Sequence, residues 1–68
     1  MNSLATLDAM AALAQQTGSV VHVVLVREPA AAQHARAVAK RAELDVSIDL
    51  MASSMRVRFQ PGVTNRDR

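Results

Sequence analysis

The residues of this chain that can do acid–base or metal chemistry are few and scattered. His22 and His34 are the only histidines, and neither has an Asp or Glu nearby at metal-ligand spacing. Cysteine is absent, so thiolate metal sites, catalytic thiols and disulfide bonds are excluded. No serine lies in a Gly-x-Ser-x-Gly motif, and two glycines are too few for a glycine-rich phosphate loop. We therefore expect no catalytic residues, metal, cofactor or small-molecule substrate, and we predict that the chain is not an enzyme.

Basic side chains form a larger set with a chemistry of their own. Five of them could contact a partner or the phosphates of a nucleic acid: Arg36, Lys40, Arg41, Arg56 and Arg58. The other interpretation is an ordinary solvated surface, because Glu43, Asp45 and Asp49 neutralise much of this charge and the net charge is only +2. Phe59, the single aromatic residue, is assigned to the core, so no platform remains for stacking bases. Nucleic-acid binding is therefore the less favoured interpretation.

Two segments carry helical spacing. Apolar residues recur every three or four positions in the first segment, which predicts a helix over residues 4–16, capped by Ser3 or Thr6 and ended by Gly18. Pro29 suits the first turn of a second helix over residues 29–43, whose buried stripe is rich in alanine. His34 is expected on the solvated side of this second helix.

Three segments have residue patterns that are typical of β-strands. Residues 19–27 are dense in valine on both faces, which predicts a strand that is covered on both sides or nearly so. The second strand is built around Val46, Ile48 and Leu50, and the third around Met55, Val57 and Phe59. A tight turn at Ser53 and Ser54 pairs these two strands. The predicted neighbours are Leu50 with Val57, Ile48 with Phe59, and Asp49 with Arg58.

The predicted fold is an α/β (α+β) two-layer sandwich in the order α-β-α-β-β. A crossover through the second helix makes the first two strands parallel neighbours, so the three-stranded sheet is mixed. Both helices lie on one face and bury a set of sheet residues: Val21, Val23, Leu25, Ile48, Leu50, Val57 and Phe59. Residues 1–62 form this single domain, and residues 63–68 form a disordered basic tail that includes Arg66 and Arg68.

This arrangement leaves the second face of the sheet without cover. The residues predicted there for self-association are Val20, His22, Val24, Val26 and Met51. A second copy is the simplest partner, either by stacking of the open faces or by pairing of exposed strand edges, so a homodimer is expected. The alternative is that the first helix crosses to this face and covers the valines itself.

The expected function follows from the small size of the core and from the lack of catalytic or metal-binding motifs. A chain of 68 residues without disulfides or metal is marginally stable on its own, which favours self-association. We expect a cytoplasmic, non-enzymatic interaction module acting as an accessory, regulatory or inhibitor protein, of the size common in phages and mobile elements. The longest apolar run, around His22, is far too short to span a bilayer, so no membrane association is expected. An obligate subunit of a larger complex is the weaker third hypothesis.

Overall fold

A computed structural model describes residues 2–62 of the chain, so the predicted tail at 63–68 lies outside the described residues. The elements, in chain order, are helix α1 (Ser3–Thr17), strand β1 (Val21–Val26), helix α2 (Pro29–Arg41), strand β2 (Leu44–Leu50) and strand β3 (Ser54–Pro61). The predicted order α-β-α-β-β is confirmed, and the domain is a compact α+β structure.

Helix α1 begins one residue earlier than predicted. The N-cap is Asn2, whose side-chain Oδ1 accepts a hydrogen bond from the backbone N–H of Ala5 at 2.8 Å, so the predicted caps Ser3 and Thr6 are wrong. The predicted end is confirmed. Gly18 adopts a left-handed conformation with φ 70° and donates its N–H to the carbonyl of Ala14 at 2.9 Å.

Helix α2 starts at Pro29, as predicted, but stops at Arg41 rather than at residue 43. The chain turns sharply there, because Glu43 adopts a positive φ of 60° that a helix cannot continue through. The buried stripe of α2 consists mostly of alanine (Ala31, Ala35 and Ala39, with Val38), and small side chains let a helix lie close to its neighbours. The end of β3 lies close to the backbone of Glu43, because a Cβ added to Gly62 would lie 2.5 Å from the Glu43 carbonyl oxygen.

The sheet is antiparallel throughout, in the order β1-β3-β2, so the predicted mixed sheet is wrong. Strands β1 and β2 run in the same direction but do not pair, because β3 lies between them. The prediction relied on the tendency of consecutive strands to be neighbours, which is a tendency only. The central strand is β3, and its inward side chains are the most deeply buried of the sheet. Met55, Val57 and Phe59 have no exposed surface.

The hairpin between β2 and β3 also differs from the prediction. Its loop is residues 51–53, not a tight turn at Ser53 and Ser54, and Leu50 therefore lies opposite Met55 rather than Val57. Ile48 pairs with Val57, and Asp49 lies opposite Arg56 rather than Arg58. The register is thus displaced by an even number of residues, which keeps every side chain on its predicted face while changing its neighbour.

The core lies on one side of the sheet. Side chains of both helices, among them Leu7, Ala11 and Val38, share one buried cluster with Val57 and Phe59. Partly buried residues pack against it from the flanking strands: Val21, Val23, Leu25, Val46 and Ile48. Leu50, predicted in this core, is 57% exposed, because it ends an edge strand.

Candidate interaction surface

The opposite side of the sheet is exposed, and we call it the open face. In β1 exposed residues alternate with half-buried ones, and in β3 with buried ones, so each strand presents one covered and one open row. The exposed strand residues of the open face include His22, Val24, Val26, Ser47, Asp49, Arg56 and Arg58. Val24 and Val26 are 58% and 63% exposed, so no part of α1 covers the valines, and that alternative is wrong.

The strand register arranges the open face in rows. His22 lies opposite Arg58, which lies opposite Ser47, and in the next row Val24, Arg56 and Asp49 are neighbours. His22, Ser47, Asp49, Arg56 and Arg58 line a shallow cavity of about 250 Å³, which we call the sheet pocket. The alternation of side chains along each strand is enough to predict that these residues share a face, but only the strand register shows that they are neighbours.

The two arginines of the sheet pocket are held differently. The Nη2 of Arg58 donates to the Ser47 Oγ at 3.3 Å. The side chain of Arg56 makes no hydrogen bond or ion pair within residues 2–62, although Asp49 is its cross-strand neighbour. The predicted ion pair between Asp49 and Arg58 is therefore wrong, because the loop displaces the register and Ser47 takes the place opposite Arg58. Both guanidinium charges stay available to a ligand.

Strand β1 forms one edge of the sheet. The N–H of Arg27 donates to the Ser53 carbonyl at 3.2 Å, which continues the β1–β3 ladder beyond the strand. In an antiparallel ladder, bonded pairs recur at every second residue. The N–H and C=O groups of His22, Val24 and Val26 therefore lie on the outer side of β1.

Apolar side chains surround this same edge. Val20, which precedes β1, and Val24 and Val26 within it are exposed. Of the predicted self-association residues, Met51 alone is elsewhere. It lies in the β2–β3 loop, where its carbonyl accepts a hydrogen bond from the Nη1 of Arg27 at 2.8 Å.

The remaining predicted cations are not brought to this surface. Arg36, Lys40 and Arg41 lie on α2, whose buried side chains belong to the core cluster, whereas Arg56 and Arg58 lie on the open face. Arg41 lines a separate groove between the helices with Asp8 and Gln15. A single flat ligand therefore does not reach both groups of cations at once.

His34, predicted on the solvated side of the second helix, has a partly exposed side chain that also links the two helices. Its Nε2 lies 2.8 Å from the Asp8 Oδ1, and its side chain is 26% exposed. The residues are far apart in sequence, so no local spacing reveals the contact. Among residues 2–62 no group of three or more acidic or histidine side chains is placed to hold a metal ion.

Comparison with known proteins adds no assignment: no family model, no curated protein and no solved structure matches this chain. Neither helix in the described part of the chain has the length and apolar character needed to cross a membrane. The features that bear on function are therefore the open face and the β1 edge.

Proposed function

We propose that the protein is a non-enzymatic, self-associating interaction module of the cytoplasm, in which two copies pair through the outer edge of β1. As a dimer it acts by occupying a surface of a macromolecular partner, as an accessory, regulatory or inhibitor protein does. The observation that carries the proposal is the unprotected, apolar edge of β1. The proposal includes both helices covering the same face of the sheet, which is supported by the single buried cluster that they share with Val57 and Phe59.

The two edges of the sheet differ in how they resist pairing. Natural proteins protect edge strands with charges, prolines or bulges. Strand β2 carries Asp45 and Asp49, which protect its edge. Residues 20–26 contain no proline and no Lys, Arg, Asp or Glu. The β1 edge is therefore the better template for an added strand.

The register of such a pair follows from the outward backbone groups. Residues 20, 22, 24 and 26 present their N–H and C=O groups outward, so bonded pairs between two antiparallel copies join even-numbered residues. A two-fold axis at Val23 pairs the whole apolar segment with itself. His22 then lies opposite Val24 of the second copy, and Val20 opposite Val26 of the second copy. The result is a continuous six-stranded sheet with an isologous interface.

Stacking of two open faces is the less favourable arrangement. It would bury Arg56, Arg58 and Asp49 of each copy, and removing charges from water without close pairing costs several kcal/mol per ion. Edge pairing leaves these charges in solvent and satisfies backbone groups instead. It also brings the exposed valines of the two copies near one another, which reduces exposed apolar area.

The test is the oligomeric state of the intact chain and of two Val24 variants. Val24→Pro removes an outward donor and adds a ring at the interface but spares the bonds to β3, since proline is tolerated at outward positions of edge strands. We expect a monomer by sedimentation equilibrium. Val24→Thr keeps the donor and the β-branched shape, and is expected to remain a dimer.

Val24→Lys is a second disrupting variant in case the proline substitution prevents folding, which circular dichroism would detect. It retains the backbone N–H and places a charge beside the edge. A monodisperse monomer of the unmodified chain in the high micromolar range would overturn the proposal. So would an unchanged dimer in both disrupting variants.

Nucleic-acid binding is the second candidate function. It is favoured by the lack of an ion-pair partner for Arg56 within residues 2–62 and by the basic surface of α2 with Arg36, Lys40 and Arg41. Phosphate contacts would make the logarithm of the affinity fall linearly with the logarithm of the salt concentration. The absence of binding to a short RNA or DNA duplex at low salt would exclude this candidate.

A further inference from the structure

We propose that the sheet pocket binds one phosphate group per chain, carried by a small phosphomonoester. The pocket is built from all three strands of one chain, so the inference does not depend on self-association. It predicts one ligand per chain in the monomer and in the dimer alike.

The donors converge from two neighbouring strands. Arg56 and Arg58 lie on the same face of β3, about 7 Å apart along the strand, since a strand rises about 3.4 Å per residue. One phosphate therefore fits between their guanidinium groups. His22 faces Arg58 from β1 as a non-hydrogen-bonded pair, the type in which side chains come closest. Ser47 holds the Arg58 guanidinium from the other side through its 3.3 Å hydrogen bond.

The charge of the pocket favours a dianion. Two guanidinium groups face a single carboxylate, and Asp49 forms no ion pair within 4.0 Å among the described residues. A phosphomonoester carries close to two negative charges and three terminal oxygens, which matches the two arginines and His22. A phosphodiester has one charge and only two free oxygens, so it engages fewer of these donors. Repulsion by Asp49 places the phosphate toward the β1 side of the pocket.

The size of the pocket leaves room for part of the attached organic group. Its volume of about 250 Å³ is several times the roughly 30 Å³ that one water molecule occupies in the liquid. Asp49, at the β2 side, is then placed to accept a hydrogen bond from a hydroxyl or amino group of the ligand. A phosphorylated sugar or a mononucleotide has the required chemistry.

The experiment is a titration of the ¹⁵N-labelled full chain, at constant ionic strength, followed by the amide signals in NMR spectra. The probes are inorganic phosphate and adenosine monophosphate. We expect saturable shifts at His22, Ser47, Arg56 and Arg58, with a dissociation constant on the order of 1 mM for two charge-assisted contacts. Arg56→Gln combined with Arg58→Gln should weaken binding by about tenfold or more.

A matched control separates a built site from general attraction to a basic protein. Arg36→Gln combined with Lys40→Gln removes the same charge from α2 and should leave the affinity unchanged. Asp49→Asn removes the opposing carboxylate and should strengthen the binding of inorganic phosphate. The ¹⁵N spectrum of each variant reports whether the fold is retained.

Three results would overturn the inference. They are shifts that do not saturate, an equal loss of affinity in the two double variants, and tighter binding per site of an oligonucleotide that lacks terminal phosphates. The last result would instead support the nucleic-acid candidate through the same arginines. Because the dimer is tested separately by sedimentation, failure of phosphate binding leaves the proposed self-association standing, and the reverse also holds.

Discussion

Strand β3 has two faces with opposite properties. Met55, Val57 and Phe59 are fully buried on the covered face, whereas Arg56 and Arg58 are exposed between them. The backbone is the same for both rows, so the difference comes from which row of side chains belongs to the buried core. The covered face carries the stability of the fold, and the open face is the one for which we propose a role in recognition. Substitutions on one strand can therefore separate the two roles.

The largest expected effect is on the covered face. Phe59→Ala removes the only aromatic side chain of the core and leaves a cavity, so the free energy of unfolding should fall by about 3–5 kcal/mol. That loss is comparable with the whole stability of a small domain. Urea denaturation followed by circular dichroism measures it. Arg58→Gln is the control on the open face, with an expected change within about 0.5 kcal/mol, and equal losses in the two variants would contradict the assignment of roles.

An intermediate effect on stability is expected when the same change, valine to threonine, is made once on the covered face and once on the open face. Val57→Thr keeps the branched shape but buries a hydroxyl, so it should cost about 1–3 kcal/mol in the free energy of unfolding. Val24→Thr makes the same change where the side chain is 58% exposed, and should cost less than about 0.5 kcal/mol. Thermal unfolding of both variants at equal protein concentration compares them. A larger loss for Val24→Thr would mean that the open face is covered in solution.

The smallest effect concerns the contact between the two helices. Asp8→Asn weakens the 2.8 Å contact to the Nε2 of His34, and a partly exposed polar contact of this kind contributes only about 0.2–1 kcal/mol. A double-mutant cycle with His34→Gln isolates the pair from other effects of each substitution. A coupling free energy indistinguishable from zero would show that apolar packing alone holds α1 to α2.

Much of the local structure could be predicted from residue patterns. The spacing of apolar residues indicates both helices, and Gly18 and Pro29 mark one end of each. Alternation in residues 46–50 and 55–59 indicates two strands and places their side chains on the correct faces. These features depend on neighbours a few residues apart, so a pattern along the chain is enough to reveal them.

The candidate site was predicted only in part. The alternation of side chains along the strands places His22, Ser47, Arg56 and Arg58 on one face, but it does not show which of them are neighbours. The length of the β2–β3 loop decides this, and a turn at residues 53 and 54 gives the wrong partner for Asp49. The contact of His34 with Asp8 joins two helices and leaves no trace in local spacing.

Residue patterns along the chain are sufficient to predict the helices, the strands and the apolar face of each strand, because these follow from periodicity and from the conformational preferences of glycine and proline. The position of β3 between β1 and β2, and with it the edge that is left open, depends on the packing of the whole domain. Strand order depends on how the apolar rows of all three strands are buried in one core. That is a property of the whole packed domain, and no single segment of the chain contains it.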